Sequence, residues 1–129
     1  MLADDEVYLL EAMKNLIAWD KMECQLLYCA KNGKELLDHI HEYEPDIVIT
    51  DINMPLVNGI EVAKYIYENM NRTKVIILTA CASFEYAQEA IRYDVCDYII
   101  KTATLEKLPK AIERAIDKLR SDEKEENLK

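Results

Sequence analysis

Apolar residues in this chain recur at two different periods, and the two alternate from end to end. Leu9, Leu10, Met13, Leu16 and Ile17 return at three- and four-residue spacing, which places them on one face of a helix. Cys24 to Ala30 is short and mostly apolar, the pattern of a strand. Asn32-Gly33 then marks a turn. Leu36, Leu37 and Ile40 outline a second amphipathic helix that ends near Glu44-Pro45, because the residue before a proline disfavours helix. Asp46 to Thr50, Val75 to Leu78 and Tyr98 to Ile100 carry apolar runs without alternation, as strands covered on both faces do. Between them Ile60, Ala63 and Ile66, and then Phe84, Ala87 and Ile91, mark two more helix faces, entered from Asn58-Gly59 and from Ser83 as N-cap. A last helix carries Leu108, Ile112, Ala115, Ile116 and Leu119. Pro109 lies inside that pattern, so either the helix proper starts near it or its first turn is irregular.

Strand and helix therefore alternate five times, which predicts an α/β fold with a parallel sheet and helices on both faces. Residues 1–120 form the expected domain. Residues 121–129 are polar and charged apart from Leu128 and read as a frayed end or the start of a linker.

Composition narrows the class. A chain of 129 residues, half of them hydrophobic, is one ordinary domain with a single packed core. With 25 Asp and Glu against 16 Lys and Arg, the net charge of -9 repels phosphate backbones, so direct nucleic-acid binding is not expected. No apolar run is long enough to span a bilayer and no signal peptide precedes the first acidic residues, so the expected location is cytoplasmic, with no membrane partner. Cys24, Cys29, Cys81 and Cys96 lack C-x-x-C spacing and have two histidines for company, which argues against zinc and for buried cytosolic thiols.

The candidate chemistry sits where the apolar runs stop. Asp4-Asp5 follows Met1-Leu2-Ala3, and Asp51, Thr79 and Lys101 close three later strands. In a parallel sheet the carboxyl ends of the strands line one crevice, so these side chains meet there. Singly, each has an ordinary reading. Asp4-Asp5 can cap a helix, Asp51 can end a strand in a turn, and Lys101 can be a solvated charge. Together, clustered carboxylates repel one another unless a cation neutralises them, and Mg²⁺ is the usual hard cation where phosphate is also bound. The Lys101 ammonium would supply a point charge to a phosphoryl oxygen, and the Thr79 hydroxyl a hydrogen bond. Ala80 leaves room for the incoming group.

Ala3-Asp4-Asp5-Glu6, the stretch Pro45 to Pro55 around Asp51, Gly59, Val75 to Ala80 and Asp97 to Lys101 together resemble the receiver domain of a two-component response regulator, of the CheY-like superfamily. The resemblance spans essentially the whole chain. It implies a single (βα)5 doubly wound domain with a five-stranded parallel sheet of order 2-1-3-4-5 and five flanking helices. It implies that Asp51 is the phosphoacceptor, that Asp5 and Asp51 ligate Mg²⁺ with the Asn53 backbone carbonyl, and that Asp4 acts mainly through metal-bound water. Thr79 and Lys101 then hold phosphoryl oxygens, and Tyr98 turns inward when Thr79 moves.

The implied partner is a sensor histidine kinase, and the implied chemistry is self-phosphorylation with slow self-dephosphorylation rather than enzymatic turnover. Ser83 to Ile91 resembles receivers that precede an AraC-type helix-turn-helix output domain, so control of transcription and DNA binding through a domain outside this chain are expected. The fourth helix, fifth strand and fifth helix form the expected homodimer face, with Tyr86 and Tyr93 as candidates for exposure there. Two rivals are a receiver-like adaptor that is never phosphorylated and a Mg²⁺-dependent phosphatase. The second lacks the Asp that many such enzymes carry two residues after the nucleophile, where this chain has Asn53. Two departures from the family pattern stand out. Thr102 follows Lys101 in place of proline, so a trans peptide is expected. Only Met1-Leu2-Ala3 precede Asp4, so the central strand is expected to be short.

Overall fold

Two buried strands, Ile47–Asp51 and Lys74–Thr79, form the spine of the molecule, and each sends alternate side chains into a different core. Val48, Val75 and Ile77 pack to one side with Leu36, Ile40, Val62 and Ile66. Ile49, Ile76 and Leu78 pack to the other with Leu10, Met13, Leu108 and Ile112. A strand with period-two side chains and both faces covered must be apolar throughout, as these runs are.

The computed structural model describes residues 1–81 and 83–127. In chain order the elements are β1 (Leu2–Ala3), α1 (Val7–Leu16), β2 (Cys29–Ala30), α2 (Gly33–Tyr43), β3 (Ile47–Asp51), α3 (Gly59–Asn69), β4 (Lys74–Thr79), α4 (Phe84–Arg92), β5 (Asp97–Ile100) and α5 (Thr104–Asn127). Short 3-10 turns cover Asp20–Met22 and Lys101–Ala103. All strands are parallel, in the order β2-β1-β3-β4-β5, with α1 and α5 on one face and α2, α3 and α4 on the other. This is the doubly wound α/β fold the alternation predicts.

Local signals set the helix starts. Asn32, Asn58 and Ser83 each accept a backbone N–H three residues on, and Asn58 completes a capping box with Glu61. Gly59 is required at its position, because a Cβ there would stand 2.0 Å from the carbonyl oxygen of Asp51. The first turn of α3 thus packs directly on the end of β3.

Four expectations are corrected. β2 is two residues long rather than the whole of Cys24 to Ala30, because β1 offers only Leu2 and Ala3 as partners and the ladder stops with them. Leu16 is exposed, and Ile17 takes the buried place at the end of α1. On α4 the apolar pair Phe84 and Ile91 faces solvent, 76% and 80% exposed, while Ala90 is buried and Tyr86 and Tyr93 are half-buried against the core. Finally, α5 does not fray at Ser121. It runs on to Asn127. Asp122 pairs with Lys74 at 2.5 Å and Glu126 lies 3.7 Å from Arg72. Residues 128–129 of the expected tail lie outside the described residues. Pro109 falls in the second turn of α5, where the carbonyl it leaves free belongs to the exposed Leu105.

A cavity of about 370 Å³ lies at the amino edge of the sheet, lined by Leu2, Trp19, Met22, Leu26, Ile112 and Ile116 among others. The Met1 ammonium stands at this edge and donates to the Ile47 carbonyl at 2.8 Å. No helix is long and apolar enough to cross a membrane among the described residues.

Candidate functional site

The residues singled out from the strand ends do converge on the carboxyl edge of the sheet. Asp4 follows β1, Asp51 ends β3, Thr79 ends β4 and Lys101 follows β5. Parallel pairing brings them level, since Ala3 registers with Thr50 and Thr79 with Ile100. Carboxylate oxygens of Asp4, Asp5 and Asp51 lie within 4.8 Å of one another. Asp4 and Asp51 are buried and Asp5 is exposed, which gives the cluster a wall and an opening.

Lys101 ties the cluster together. Its ammonium donates to Asp51 Oδ2 at 2.9 Å, to Asp4 Oδ1 at 3.2 Å and to Glu6 Oε1 at 2.6 Å, with only 9% of its side-chain surface exposed. Burial would lower its pKa, but the hydrogen bonds to Glu6 and Asp51 and the charge of Asp4 outweigh that and hold it above the usual lysine range. The Asp4 carboxyl is pushed up to about 6 by burial, against the Glu6 N–H, with Asp51 raising it further and Lys101 opposing. Burial likewise raises Asp51, opposed first by the Lys101 hydrogen bond.

Three carboxylates, of Asp4, Glu6 and Asp51, contact one ammonium here, and the Asp4 Oδ2 atom is buried without a hydrogen bond, although Lys101 Nζ stands 3.1 Å away. A buried oxygen without a hydrogen bond, beside two other carboxylates, has the chemistry of a cation ligand. A hard divalent ion with oxygen ligands fits this donor set.

The other expected residues are differently engaged. The Thr79 hydroxyl is buried and donates to the Cys81 carbonyl at 2.8 Å while accepting from the Cys81 N–H at 3.2 Å, so in this state it is turned to its own loop. The Tyr98 hydroxyl is buried with no hydrogen-bond partner among the described residues. Asn53 is exposed on the loop after β3, and its Oδ1 accepts from the Tyr86 hydroxyl at 3.3 Å. Cys81 is exposed on the loop beside Thr79, which corrects the expectation of a buried thiol there, because the chain has left β4 and the core two residues earlier. No cis peptide bond occurs among the described residues, so Lys101-Thr102 is trans, as expected. Asp4 and Asp5 are not the N-cap of α1, which is Glu6; instead Asp4 Oδ1 accepts from the Glu6 N–H at 2.8 Å.

Glu6 as a partner of Lys101 and Tyr86 as a partner of Asn53 were not foreseen from the sequence. Only Glu6 had a signal, a third acid directly after the pair.

A 2-1-3-4-5 parallel sheet with an acidic, lysine-bridged pocket at its carboxyl edge defines a doubly wound domain of the CheY-like class. The chain belongs to the response regulator receiver domain family, which it matches over residues 1–113. It is 34% identical over 120 residues to the uncharacterized transcriptional regulatory protein YesN of Bacillus subtilis, covering 93% of this chain and 33% of that one. It is 37% identical over 101 residues to the transcriptional regulatory protein HptR of Staphylococcus aureus, covering 78% and 39%. The chain thus spans between 33% and 39% of the length of these curated relatives. Among solved structures, the receiver domain of AraT from Geobacillus stearothermophilus superposes with a TM-score of 0.86 at 30% identity over 95% of both chains. A LuxR-family DNA-binding response regulator from Staphylococcus aureus does so at 0.80 and 33%, covering 88% of this chain and 94% of that one.

Proposed function

We propose that this receiver domain takes a phosphoryl group from the phosphohistidine of a sensor histidine kinase onto Asp51 and so controls an output. The observation that carries the reading is the Lys101 ammonium bridging Asp51 and Asp4 inside a cluster of three carboxylates.

A carboxylate oxygen of Asp51 attacks phosphorus in line as the bond to the histidine nitrogen breaks, and the imidazole leaves with the electron pair. Lys101 then exchanges a carboxylate for an equatorial phosphoryl oxygen. Asp4, Asp5, Asp51 and the Asn53 backbone carbonyl are the groups that would hold Mg²⁺, with Asp4 acting mainly through water. The bound ion supplies charge neutralisation between the acceptor carboxylate and the incoming phosphoryl oxygens.

Thr79 carries the signal outward. To reach a phosphoryl oxygen its hydroxyl gives up the Cys81 carbonyl and N–H, which releases the start of the loop before α4. Tyr98, whose hydroxyl is buried without a partner among the described residues, responds to the same movement. Relatives named as transcriptional regulators support a DNA-binding output carried by a further domain of a longer protein. The exposed Phe84 and Ile91 support α4, β5 and α5 as a dimer face.

A small-molecule phosphodonor with Mg²⁺ tests the assignment. Acid-labile, alkali-labile labelling at one site is expected in the unsubstituted chain and none in Asp51→Asn. Equal labelling of the variant overturns it.

A further inference from the structure

The Lys101 ammonium carries three N–H donors, and all three are taken. They go to Asp51 Oδ2 at 2.9 Å, to Asp4 Oδ1 at 3.2 Å and to Glu6 Oε1 at 2.6 Å. A phosphoryl oxygen arriving at Asp51 can therefore bond to Lys101 only if one of these acceptors leaves. The three are not equally free to go. The side chains of Asp4 and Asp51 are 0% and 4% exposed, whereas that of Glu6 is 60% exposed. Releasing a buried carboxylate strands its charge away from water, while Glu6 released from Lys101 passes directly to solvent.

Among the described residues Lys101 is the one hydrogen-bond partner of the Glu6 carboxylate. Glu6 is the N-cap residue of α1, yet its side chain makes no cap hydrogen bond. Aspartate, one methylene shorter, is among the preferred N-caps, and glutamate is not. The longer side chain is turned away from the helix and onto the ammonium instead. Its backbone is fixed there, because the Glu6 N–H donates to Asp4 Oδ1 at 2.8 Å. The pocket thus keeps an anion of its own on the third N–H of Lys101.

We infer that Glu6 is a positioning residue, an internal stand-in for the phosphoryl group that occupies the third donor of Lys101 until a phosphodonor displaces it. The inference rests on the acceptor role proposed for Asp51, and it names the carboxylate that Lys101 gives up. Glu6 weakens the binding of anionic phosphodonors without entering the bond-breaking step. In that step the Asp51 carboxylate oxygen bonds to phosphorus as the bond from phosphorus to the donor breaks. With acetyl phosphate as donor, acetate leaves with the electron pair.

The full chain is incubated with Mg²⁺ and acetyl phosphate, and the rate of labelling is followed against donor concentration for the unsubstituted chain, Glu6→Gln and Glu6→Asp. Glu6→Gln removes the charge and keeps the shape. Glu6→Asp keeps the charge, draws it back from Lys101 by one methylene and gives α1 a better cap. Both are expected to lower the half-saturating donor concentration about fivefold with the maximal rate unchanged, the upper end of what one exposed ion pair supplies. Beryllofluoride, a phosphoryl mimic that binds a carboxylate oxygen, is expected to bind both variants tighter by about the same factor, read by fluorine NMR. In the unphosphorylated, metal-free protein both substitutions are expected to shift the Lys101 side-chain ammonium resonance. Tighter binding in Glu6→Gln with none in Glu6→Asp is an effect of net charge alone and overturns the inference. So do equal half-saturating concentrations in all three chains, a change confined to the maximal rate, and an unmoved Lys101 resonance. Each of these leaves the acceptor reading intact. No label on the unsubstituted chain overturns the acceptor reading, and this inference with it.

Discussion

The Lys101 ammonium lies 2.9 Å from Asp51 Oδ2 and is shared with Asp4 and Glu6, so the pocket carries its own counter-ion before any phosphoryl group arrives. Removing it isolates buried negative charge. Lys101→Met is expected to destabilise the metal-free chain by about 3 kcal/mol, the lower end of the cost of orphaning one partner in a buried ion pair, because Asp5 and Glu6 remain open to water. Urea unfolding of both chains measures this, and added Mg²⁺ should restore part of the loss.

Stability on the acid side should follow Asp4. Its carboxyl is raised from 3.8 to about 6, so between those values the folded chain keeps a proton that the unfolded chain has lost. The contribution is full below 3.8 and is lost as pH rises through about 6. Burial moves Asp51 in the same direction. Mg²⁺ needs the ionised carboxylates, so its affinity should fall as pH drops below about 6. Unfolding midpoints and Mg²⁺ titrations across this range check both, and Asp4→Asn should flatten the acid-side slope.

The amino end of the sheet carries a titration of opposite sign. Burial pushes the Met1 ammonium down from 8.0 to about 6, so the unfolded chain binds the extra proton between those values. Stability from this group is present above 8.0 and is lost as pH falls through about 6. Extending the chain by two or three apolar residues ahead of Met1 replaces the ammonium by an amide and gives the 370 Å³ cavity aliphatic side chains to hold. A gain of about 2 kcal/mol is expected, the worth of one buried aliphatic side chain, together with loss of the pH dependence. A polar extension of equal length should do neither.

Asp4, Asp51, Thr79 and Lys101 were legible in the sequence because each stands where an apolar run ends. Strand ends are local features, and the parallel sheet aligns them by topology alone. What escaped depends on partners distant in the chain. The run Cys24 to Tyr28 has strand composition, but a ladder needs a neighbour, and β1 supplies one only for Cys29 and Ala30. Helical period located the face of α4 that holds Phe84, Ala87 and Ile91 without revealing that the tyrosine face, with Tyr86 and Tyr93, would take the core side. Past Ser121, α5 meets Lys74 and Arg72, roughly fifty residues away, through ion pairs that no local pattern encodes, whereas the Glu and Lys residues there have helix propensity that a reading by apolar period passes over.

Thiol reactivity should separate the four cysteines. Cys81 is exposed, whereas burial raises the thiols of Cys24, Cys29 and Cys96 and so lowers their thiolate fraction. A maleimide is expected to modify Cys81 first, by at least about tenfold in rate. Phosphorylation or Mg²⁺ with a phosphoryl mimic should alter that rate, because Thr79 then releases the Cys81 backbone. Peptide mapping of the modified chain, with and without the donor, reads this out.

The ion pair between Lys74 and Asp122 fixes α5 at a point well beyond the core it covers. With 24 residues α5 is about 36 Å long, and Asp122 stands five residues, about 7.5 Å, from its far end. Lys74 begins the same strand that Thr79 ends. The far part of α5 is thus tied to the foot of the strand whose other end closes the pocket, so a tilt of the helix by about 10° about that tie moves its last residue by only about 1 Å.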